Sequence, residues 1–564
     1  MPQDTQHDDP SVVQADMKTV TYSTKYVSTP AFEDVLDVIG SRGKFQKRLN
    51  IIYLCVGPCF TVMCALVYHL AMQTPDHWCH VPGRDQTNLS AAEWKTITIP
   101  SVNGTFDKCR MYNLTEMHNE TNLSTTHCLH GWDYDDTWFS LTLPSQMNWV
   151  CDEAYVVNDA MFYIENIGVL LLLFNGYVGD TFGRRLQLLC CLAVMTVSRV
   201  VMVFTPSVLV LFILAGALVS GSYGPMLESA ASVGMELTDI QNRLNLNWYM
   251  SVSTAVGMVA TGLVGWVLRS WTYFNLFAAL CCLTLLSFHR WFPESPRWLA
   301  CRGREQEALL LLKRIASTNG SSVPPFTSRV LQNMKKSRGD RKGFFSIFSS
   351  FNLFKNVVIL VIGRSVFLLS TYALVMSAGV LNVSPFVSLA AQGAAQLPAL
   401  FVVYPCAQRF GRRWSAVASM LLTAFSSVLT MLLLTVGAPE SALTVMAVVM
   451  QFCTSASGGI VSLQSIEVHP TCLRQITASV EYAASGLLLS LLPYIVFMGG
   501  SVDKRLPFAI LSALNLLSGF FLSFLPETAL QRLPDSLQDA AVFGKGHDYW
   551  SWKPSPTPVF TLKE

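Results

Sequence analysis

Arg290-Trp291-Phe292-Pro293-Glu294-Ser295-Pro296-Arg297-Trp298-Leu299 closes a long apolar segment and opens a polar, basic one. A shorter version, Phe524-Leu525-Pro526-Glu527-Thr528, closes the last apolar segment of the chain. Each signature follows six hydrophobic spans, so the chain reads as two related halves built in a membrane.

The composition agrees. Of 564 residues, 51% are hydrophobic and 13% charged, and the mean hydropathy is +0.39. A soluble domain carries about 25% charged residues, so this chain lacks the polar surface to coat a water-exposed core. A net charge of +2 offers no electrostatic footprint for nucleic acid, and no nucleic-acid partner is expected. The first 50 residues are polar, without the apolar core of a cleavable signal peptide. The first span is therefore expected to act as its own insertion signal.

A membrane helix needs about 20 mostly apolar residues. Candidate spans run over 49–72, 155–177, 186–204, 207–227, 246–267, 271–291, 355–377, 384–406, 415–436, 441–463, 477–498 and 506–525. An even number puts both termini on one side. Arg42, Lys44, Lys47 and Arg48 precede the first span, Arg184 and Arg185 follow the second, and the loop after the sixth is rich in Lys and Arg. By the positive-inside rule both termini are expected to be cytoplasmic. The implied division is a cytoplasmic segment 1–48, a six-helix bundle 49–298, a cytoplasmic linker 299–354, a second bundle 355–528 and a cytoplasmic tail 529–564.

The loop 73–154 then falls outside, and its chemistry agrees. It holds Cys79, Cys109, Cys128 and Cys151, and Asn-X-Ser/Thr acceptors at Asn88, Asn103, Asn113, Asn119 and Asn122. Sequons and an even cysteine set in one segment point to an oxidising, glycosylating compartment. Four cysteines allow three pairings, which the sequence leaves open.

The halves repeat in detail. Gly183-Arg184-Arg185 returns as Gly411-Arg412-Arg413, Glu236 and Arg243 return as Glu467 and Arg474, and Pro293-Glu294 returns as Pro526-Glu527. All three offsets lie near about 230 residues, which indicates a six-plus-six duplication.

These residues resemble the organic cation, anion and zwitterion transporter family of the major facilitator superfamily. Phe32-Glu33-Asp34-Val35-Leu36, Gly43-Lys44-Phe45-Gln46, Gly131-Trp132-Asp133-Tyr134 in the long first loop and Asn148-Trp149-Val150-Cys151 carry the resemblance, with the Pro-Glu-Ser-Pro-Arg-Trp stretch. That stretch alone would leave sugar porters open; the long loop with its sequons favours the organic-ion family. The resemblance covers nearly the whole chain. It implies an all-α membrane protein with twelve helices in two pseudo-symmetric bundles. The implied function is transport of a small organic ion across the plasma membrane by alternating access, with a counter-transported ion as a candidate second solute. Membrane lipid is the expected surroundings, and oligomeric state has no signature. The competing reading is a carrier-like receptor that binds through its glycosylated loop.

Between spans two and three, Gly179 and Gly183 are expected to let the loop approach the opposite half. Asp180 is expected to face the positive N-terminal end of span eleven. With Arg184, Arg185, Glu236, Arg243, Arg412, Glu467, Arg474 and a Glu294/Arg297 pair, it would form a charge latch on the cytoplasmic side. Thr181 and Gln408, set against the family pattern, imply that the latch is lopsided.

The resemblance places substrate between the bundles, read by charges in spans four, eight, ten and eleven. Here Phe212, Gln396, Leu400, Gln451 and Gly486 stand at those places. Other charges lie at membrane depth instead: Arg364 in span seven and Glu481 in span eleven, expected to pair, and Glu165 in span two. Such charges are functional candidates by default. Asp159 and Arg199 are expected near the outer surface. Of the aromatic residues Phe162, Tyr163, Trp248, Tyr249, Tyr372 and Phe386, the resemblance singles out Tyr372 as a substrate contact. His469 is isolated in the sequence, no metal-ligand spacing or Walker-type loop is present, and neither cofactor nor enzymatic activity is expected.

Overall fold

The computed structural model describes residues 32–550 apart from 85–86, 88, 103–104, 114–123, 337–343, 378–383 and 546–548. Twelve apolar helices dominate it. The first half comprises span one (Lys44–Ala71), two (Tyr155–Phe182), three (Arg184–Phe204), four (Leu209–Glu236), five (Arg243–Leu268) and six (Trp271–Ser287). The second half comprises span seven (Phe351–Ser377), eight (Pro385–Arg409), nine (Arg412–Val436), ten (Glu440–Val468), eleven (Arg474–Leu489, resumed as Leu492–Ser501) and twelve (Leu506–Leu522). Span eleven breaks just before Pro493, whose ring nitrogen cannot donate to the preceding turn.

Most spans run one or two turns past their hydropathic limits, because polar residues at the basic end continue the helix instead of leaving it. Span one starts at Lys44 rather than residue 49, and span four reaches Glu236 rather than residue 227. Large apolar side chains such as Leu170, Phe174, Leu263, Phe401 and Phe425 are each more than half exposed around the bundle. In lipid that exposure costs nothing.

The halves meet along two helix pairs. In spans five and eight, a Cβ at Gly393 would lie 2.8 Å from the Val259 nitrogen and 3.0 Å from the Ala255 oxygen, so only glycine permits the approach. In spans two and eleven, a Cβ at Gly176 would lie 2.9 Å from the Gln475 oxygen.

The loop after span one is not helical throughout. It carries three short antiparallel ribbons, β1 (His77–Cys79) with β6 (Trp132–Tyr134), β2 (Ser101–Val102) with β3 (Thr105–Phe106), and β4 (Arg110–Tyr112) with β5 (Thr125–His127). Disulfides Cys79–Cys128 and Cys109–Cys151 staple them. Of the five sequons, Asn113 lies among the described residues, at the end of β4, half-buried; Asn88, Asn103, Asn119 and Asn122 lie outside them. His77 lies close to Cys109 and Cys151, but their sulfurs are joined in a disulfide and present no thiolate to a metal.

At the opposite, basic end, the helix Phe32–Ile39 packs on the linker helices Glu305–Asn319 and Thr327–Lys336. The Asn319 amide donates to the Gly40 oxygen at 3.0 Å and its oxygen accepts from the Phe45 nitrogen at 3.0 Å.

Candidate functional site

Spans three and nine each begin immediately after a glycine with positive φ, +113° at Gly183 and +82° at Gly411. Such a turn suits glycine and leaves the first helical amides facing outward. Glu294 fills the first of these positions: its carboxylate accepts from the Arg184 nitrogen at 3.0 Å and the Arg185 nitrogen at 3.3 Å. Glu527 does the same in the second half, accepting from Arg412 at 2.9 Å and Arg413 at 3.1 Å. A carboxylate at a helix N-terminus contributes about 0.3–1 kcal/mol, and up to about 2 when partly buried. This is the physical content of the repeated Pro-Glu signature. It also corrects the expected Glu294/Arg297 pair, since Glu294 is committed to span three and Arg297 turns elsewhere.

Gly179 and Gly183 do not approach the opposite half. Their close neighbours are Gln187 for the former and Glu294 with Trp298 for the latter, all in the first bundle; on the same stretch of span two, Gly176 is a glycine that does meet the second half.

Asp180 does reach across. Its Oδ2 accepts from the Ile476 nitrogen at 2.9 Å, in the first turn of span eleven, and its Oδ1 lies 3.2 Å from Arg184 Nη2. Arg184 in turn donates to the Thr471 oxygen at 2.8 Å. Glu236 pairs with Arg474 of the second half and also accepts from Ser295, while Arg184 Nη2 stands 4.0 Å away. Arg412 pairs with Glu467 inside the second half. Arg243 donates across to the Gln531 oxygen at 3.2 Å. The lattice is lopsided: Gln408, the counterpart of Asp180, is exposed and bonds only its own helix through Tyr404 at 3.0 Å.

Two members of this lattice escape a motif-based reading. Glu33, in the amino-terminal helix, lies 2.6 Å from Arg297 and 3.2 Å from Arg243, and Asp535, in the tail, lies 2.8 Å from Arg297. Arg297 thereby ties both terminal segments to the first bundle. Burial alone would raise the Glu33 carboxyl, but Arg297 and Arg243 outweigh it and hold it at about 2 rather than 4.5. The folded value lies below the unfolded one, so this stabilisation is complete above about 4.5 and is lost as pH falls towards about 2. Glu33→Gln is expected to destabilise the detergent-solubilised protein at neutral pH by on the order of 3 kcal/mol. The gap to the parent should narrow as pH falls below about 4.5. Thermal unfolding across that range checks it; a gap equally wide at about pH 7 and about pH 3 would show that the carboxylate is not held by charge.

Between the bundles lie two joined lobes, sharing Ala65, Tyr223, Leu368, Tyr372 and Tyr482. They hold about 850 and about 1260 Å³ of space between atoms, part of it continuous with the surroundings. The first lobe lies towards the disulfide-bonded loop, by His69 and Glu165; the second lies towards the charge lattice, by Glu228 and Ile466.

The Arg364 Nε lies 3.0 Å from Glu481 Oε2, and its guanidinium stacks 4.2 Å from the Tyr482 ring centre. Arg364 lines the second lobe, whereas Glu481 is fully buried behind it and lines neither. Ser465 donates to Glu481 at 2.8 Å, and His469 Nδ1 lies 3.5 Å from its other oxygen. His469 is thus a member of this cluster, although the sequence presents it as isolated.

Tyr372 lines both lobes, with its ring 4.9 Å from His69. Glu165 lines the first and accepts from Ser220 at 2.9 Å. Gln396 and Gln451 line the second. Phe162 and Trp248 line neither; Phe162 packs on Tyr163, and Trp248 on Tyr249, Phe401 and Tyr404. Phe386 packs on Phe139, and Phe212 is buried against Trp271. Asp159 is exposed. Arg199, expected near the surface, is 1% exposed and donates to Asn275 at 2.9 Å and to the Cys64 oxygen.

Glu228, Tyr223 and Tyr482 belong to the cavity and carry no motif. Glu228 escapes because hydropathy ends span four at residue 227, whereas the helix continues to Glu236. An acidic residue directly abutting an apolar run is the signal that could have found it.

Twelve apolar helices in two bundles around a central cavity define a membrane transporter of the major facilitator type. The chain belongs to the sugar (and other) transporter family, whose model matches residues 144–536. It is 27% identical over 547 residues to organic cation transporter 1 of Caenorhabditis elegans, covering 92% of this chain and 89% of that one. It is 26% identical to the human organic cation/carnitine transporter 2, covering 90% and 93%. The same identity holds for the Drosophila melanogaster beta-alanine transporter, covering 90% and 89%. These proportions bear out the resemblance to the organic-ion family. The fold is shared with a proton:xylose symporter at a TM-score of 0.59 and 15% identity, over 70% of this chain and 91% of that one. The protein is a transporter and not an enzyme.

Proposed function

We propose that this chain is a plasma-membrane carrier that moves small organic ions by alternating access without ATP. In this reading the basic end faces the cytoplasm and the disulfide-bonded loop faces outside. The observation that carries it is the set of bonds from charged side chains that cross between the halves at the basic end of the cavity axis: Asp180 to span eleven, Glu236 to Arg474 and Arg184 to Thr471. These hold the inner ends together and have to separate for solute to leave inward. The reading also accounts for the recurrence of Glu236 as Glu467, which a simple topology signal would not need, because acidic residues contribute little to topology.

Uptake of a mixture of radiolabelled organic anions, cations and zwitterions by cells expressing the chain tests the activity; no uptake of any of them would sink it. Asp180→Asn keeps the shape and removes the charge. It is expected to loosen the inner gate by about 1–2 kcal/mol, raising the reactivity of inner-cavity cysteines towards an impermeant reagent applied from the cytoplasmic side. Surface expression should persist. Unchanged reactivity and unchanged uptake would reduce the motif to a topology signal.

A further inference from the structure

Spans one and six meet on a pair of thiols. Cys64 Sγ lies 3.4 Å from Cys282 Sγ and 3.6 Å from the Ala278 oxygen. Asn275, Ala278 and Cys282 recur at the i, i+3, i+7 spacing of one helix face, so Cys64 sits over a single ridge of span six. Both cysteines are buried, at 0% and 2% exposure. Cys64 nevertheless lines the first lobe of the cavity, which gives the pair a route to solutes. The doublets Cys190-Cys191 and Cys281-Cys282 are different. They are neighbours in sequence, and adjacent helix positions do not face each other.

The spacing discriminates between the fates open to two thiols. A disulfide needs its sulfurs at about 2.05 Å, so these would have to close by about 1.3 Å from 3.4 Å. A structural zinc takes four ligands, and no third cysteine, histidine or carboxylate joins these two in such a group among the described residues. A single thiophilic atom bonded to both sulfurs needs neither change. Thiolate bonds to zinc are about 2.3 Å, and those to arsenic(III) are of similar length. Two of them from sulfurs 3.4 Å apart meet at roughly 95°. That is the bent angle of pyramidal arsenic(III), whereas copper(I) and mercury(II) held by two thiolates favour a line.

The surroundings suit such a group. Arg199 in span three lines the same lobe and donates to the Cys64 carbonyl and, at 2.9 Å, to Asn275. It places a positive charge beside Cys64, and the thiolate is the form that attacks. Ala65, Tyr68 and Met195 line the lobe too, an apolar and aromatic surface for the organic substituent of an arsenical. The step balances without an oxidant. Two sulfur–hydrogen bonds and the two arsenic–oxygen bonds of a hydrated organoarsenic(III) break, two arsenic–sulfur bonds form, and the oxygens leave as water with the thiol protons. Arsenic stays trivalent throughout.

We propose that Cys64 and Cys282 form a dithiol site, reached through the first lobe, that captures trivalent organoarsenicals. The site stands whether or not the chain carries solute. The test uses the full-length protein in detergent with phenylarsine oxide as the probe. Purification without reductant keeps the Cys79–Cys128 and Cys109–Cys151 disulfides closed. Intact-mass analysis is expected to show one phenylarsenic group per chain, and peptide mapping to place it across the peptides of Cys64 and Cys282. 2,3-Dimercaptopropanol should remove it, while 2-mercaptoethanol at equal thiol concentration should not. Cys64→Ala and Cys282→Ala should each raise the half-saturating concentration by about a hundredfold, because the second thiolate bond of the parent is intramolecular. Cys281→Ala should leave it unchanged. The unfolding midpoint of each variant without the probe reports whether it is folded, and the peptide map of the parent reads the site independently of any variant. Attachment at other cysteines, no attachment, a parent whose Cys64 and Cys282 are already joined as a disulfide, or folded Ala variants that bind as the parent does would overturn the proposal.

Discussion

Arg364→Ala is expected to remove most uptake and much of the surface protein. Arg364 is 2% exposed, and its loss would leave Glu481, fully buried, with Ser465 and His469 as its remaining polar neighbours. Stranding one member of a buried ion pair costs about 3–5 kcal/mol, which is a large part of the stability of a typical domain. Glu481→Ala should cost a similar amount by stranding Arg364 instead. Removing both charges together, as Arg364→Met with Glu481→Leu, should cost less than either single change, because no charge is then left in the low-dielectric interior. The swap Arg364→Glu with Glu481→Arg should recover part of the loss. Uptake, surface biotinylation and thermal unfolding of the same variants form a double-mutant cycle. Additive losses with no recovery in the swap would show that the two side chains do not support one another.

The second large effect is expected at the gate. Arg474→Ala leaves Glu236 at 0% exposure with Ser295 and, at 4.0 Å, the Arg184 guanidinium. Arg184 is already shared with Asp180 and the Thr471 carbonyl, so it is a poor substitute. If about 3 kcal/mol is lost from the closed gate alone, the inward-open population rises roughly a hundredfold. Outward binding of solute should weaken in proportion, and cytoplasmic cysteine reactivity should rise well above that of Asp180→Asn. Adding Glu236→Gln should restore part of the closed state. A variant that binds solute from outside as tightly as the parent would show that this pair does not hold the gate.

Span number, the two halves and the disulfide-bonded loop were legible from sequence because each depends on local composition. Twenty apolar residues cross a membrane whatever their neighbours are, and a duplication leaves its motifs at one offset. Thus Gly183-Arg184-Arg185 and Pro293-Glu294 marked the two halves through their copies Gly411-Arg412-Arg413 and Pro526-Glu527, even though the partner of Glu294 was assigned wrongly and its capping role was not read. Arg364 and Glu481 were legible for the same reason, since a charge within an apolar run stands out against its surroundings.

What only the tertiary structure decided is which groups face one another. Glu33, Arg297 and Asp535 come from three segments hundreds of residues apart, and no local pattern links them. Glu294 and Arg297 sit three apart in sequence yet serve different helices, because the turn at Pro296 points them apart. Glu228 was hidden by a span limit drawn from hydropathy, and only the continuing helix carries it into the cavity wall. Trp248 and Phe162 had the right composition for a binding face and the wrong direction. Composition determines that a segment enters the membrane; which side of the helix turns inward depends on packing against helices far away in the chain.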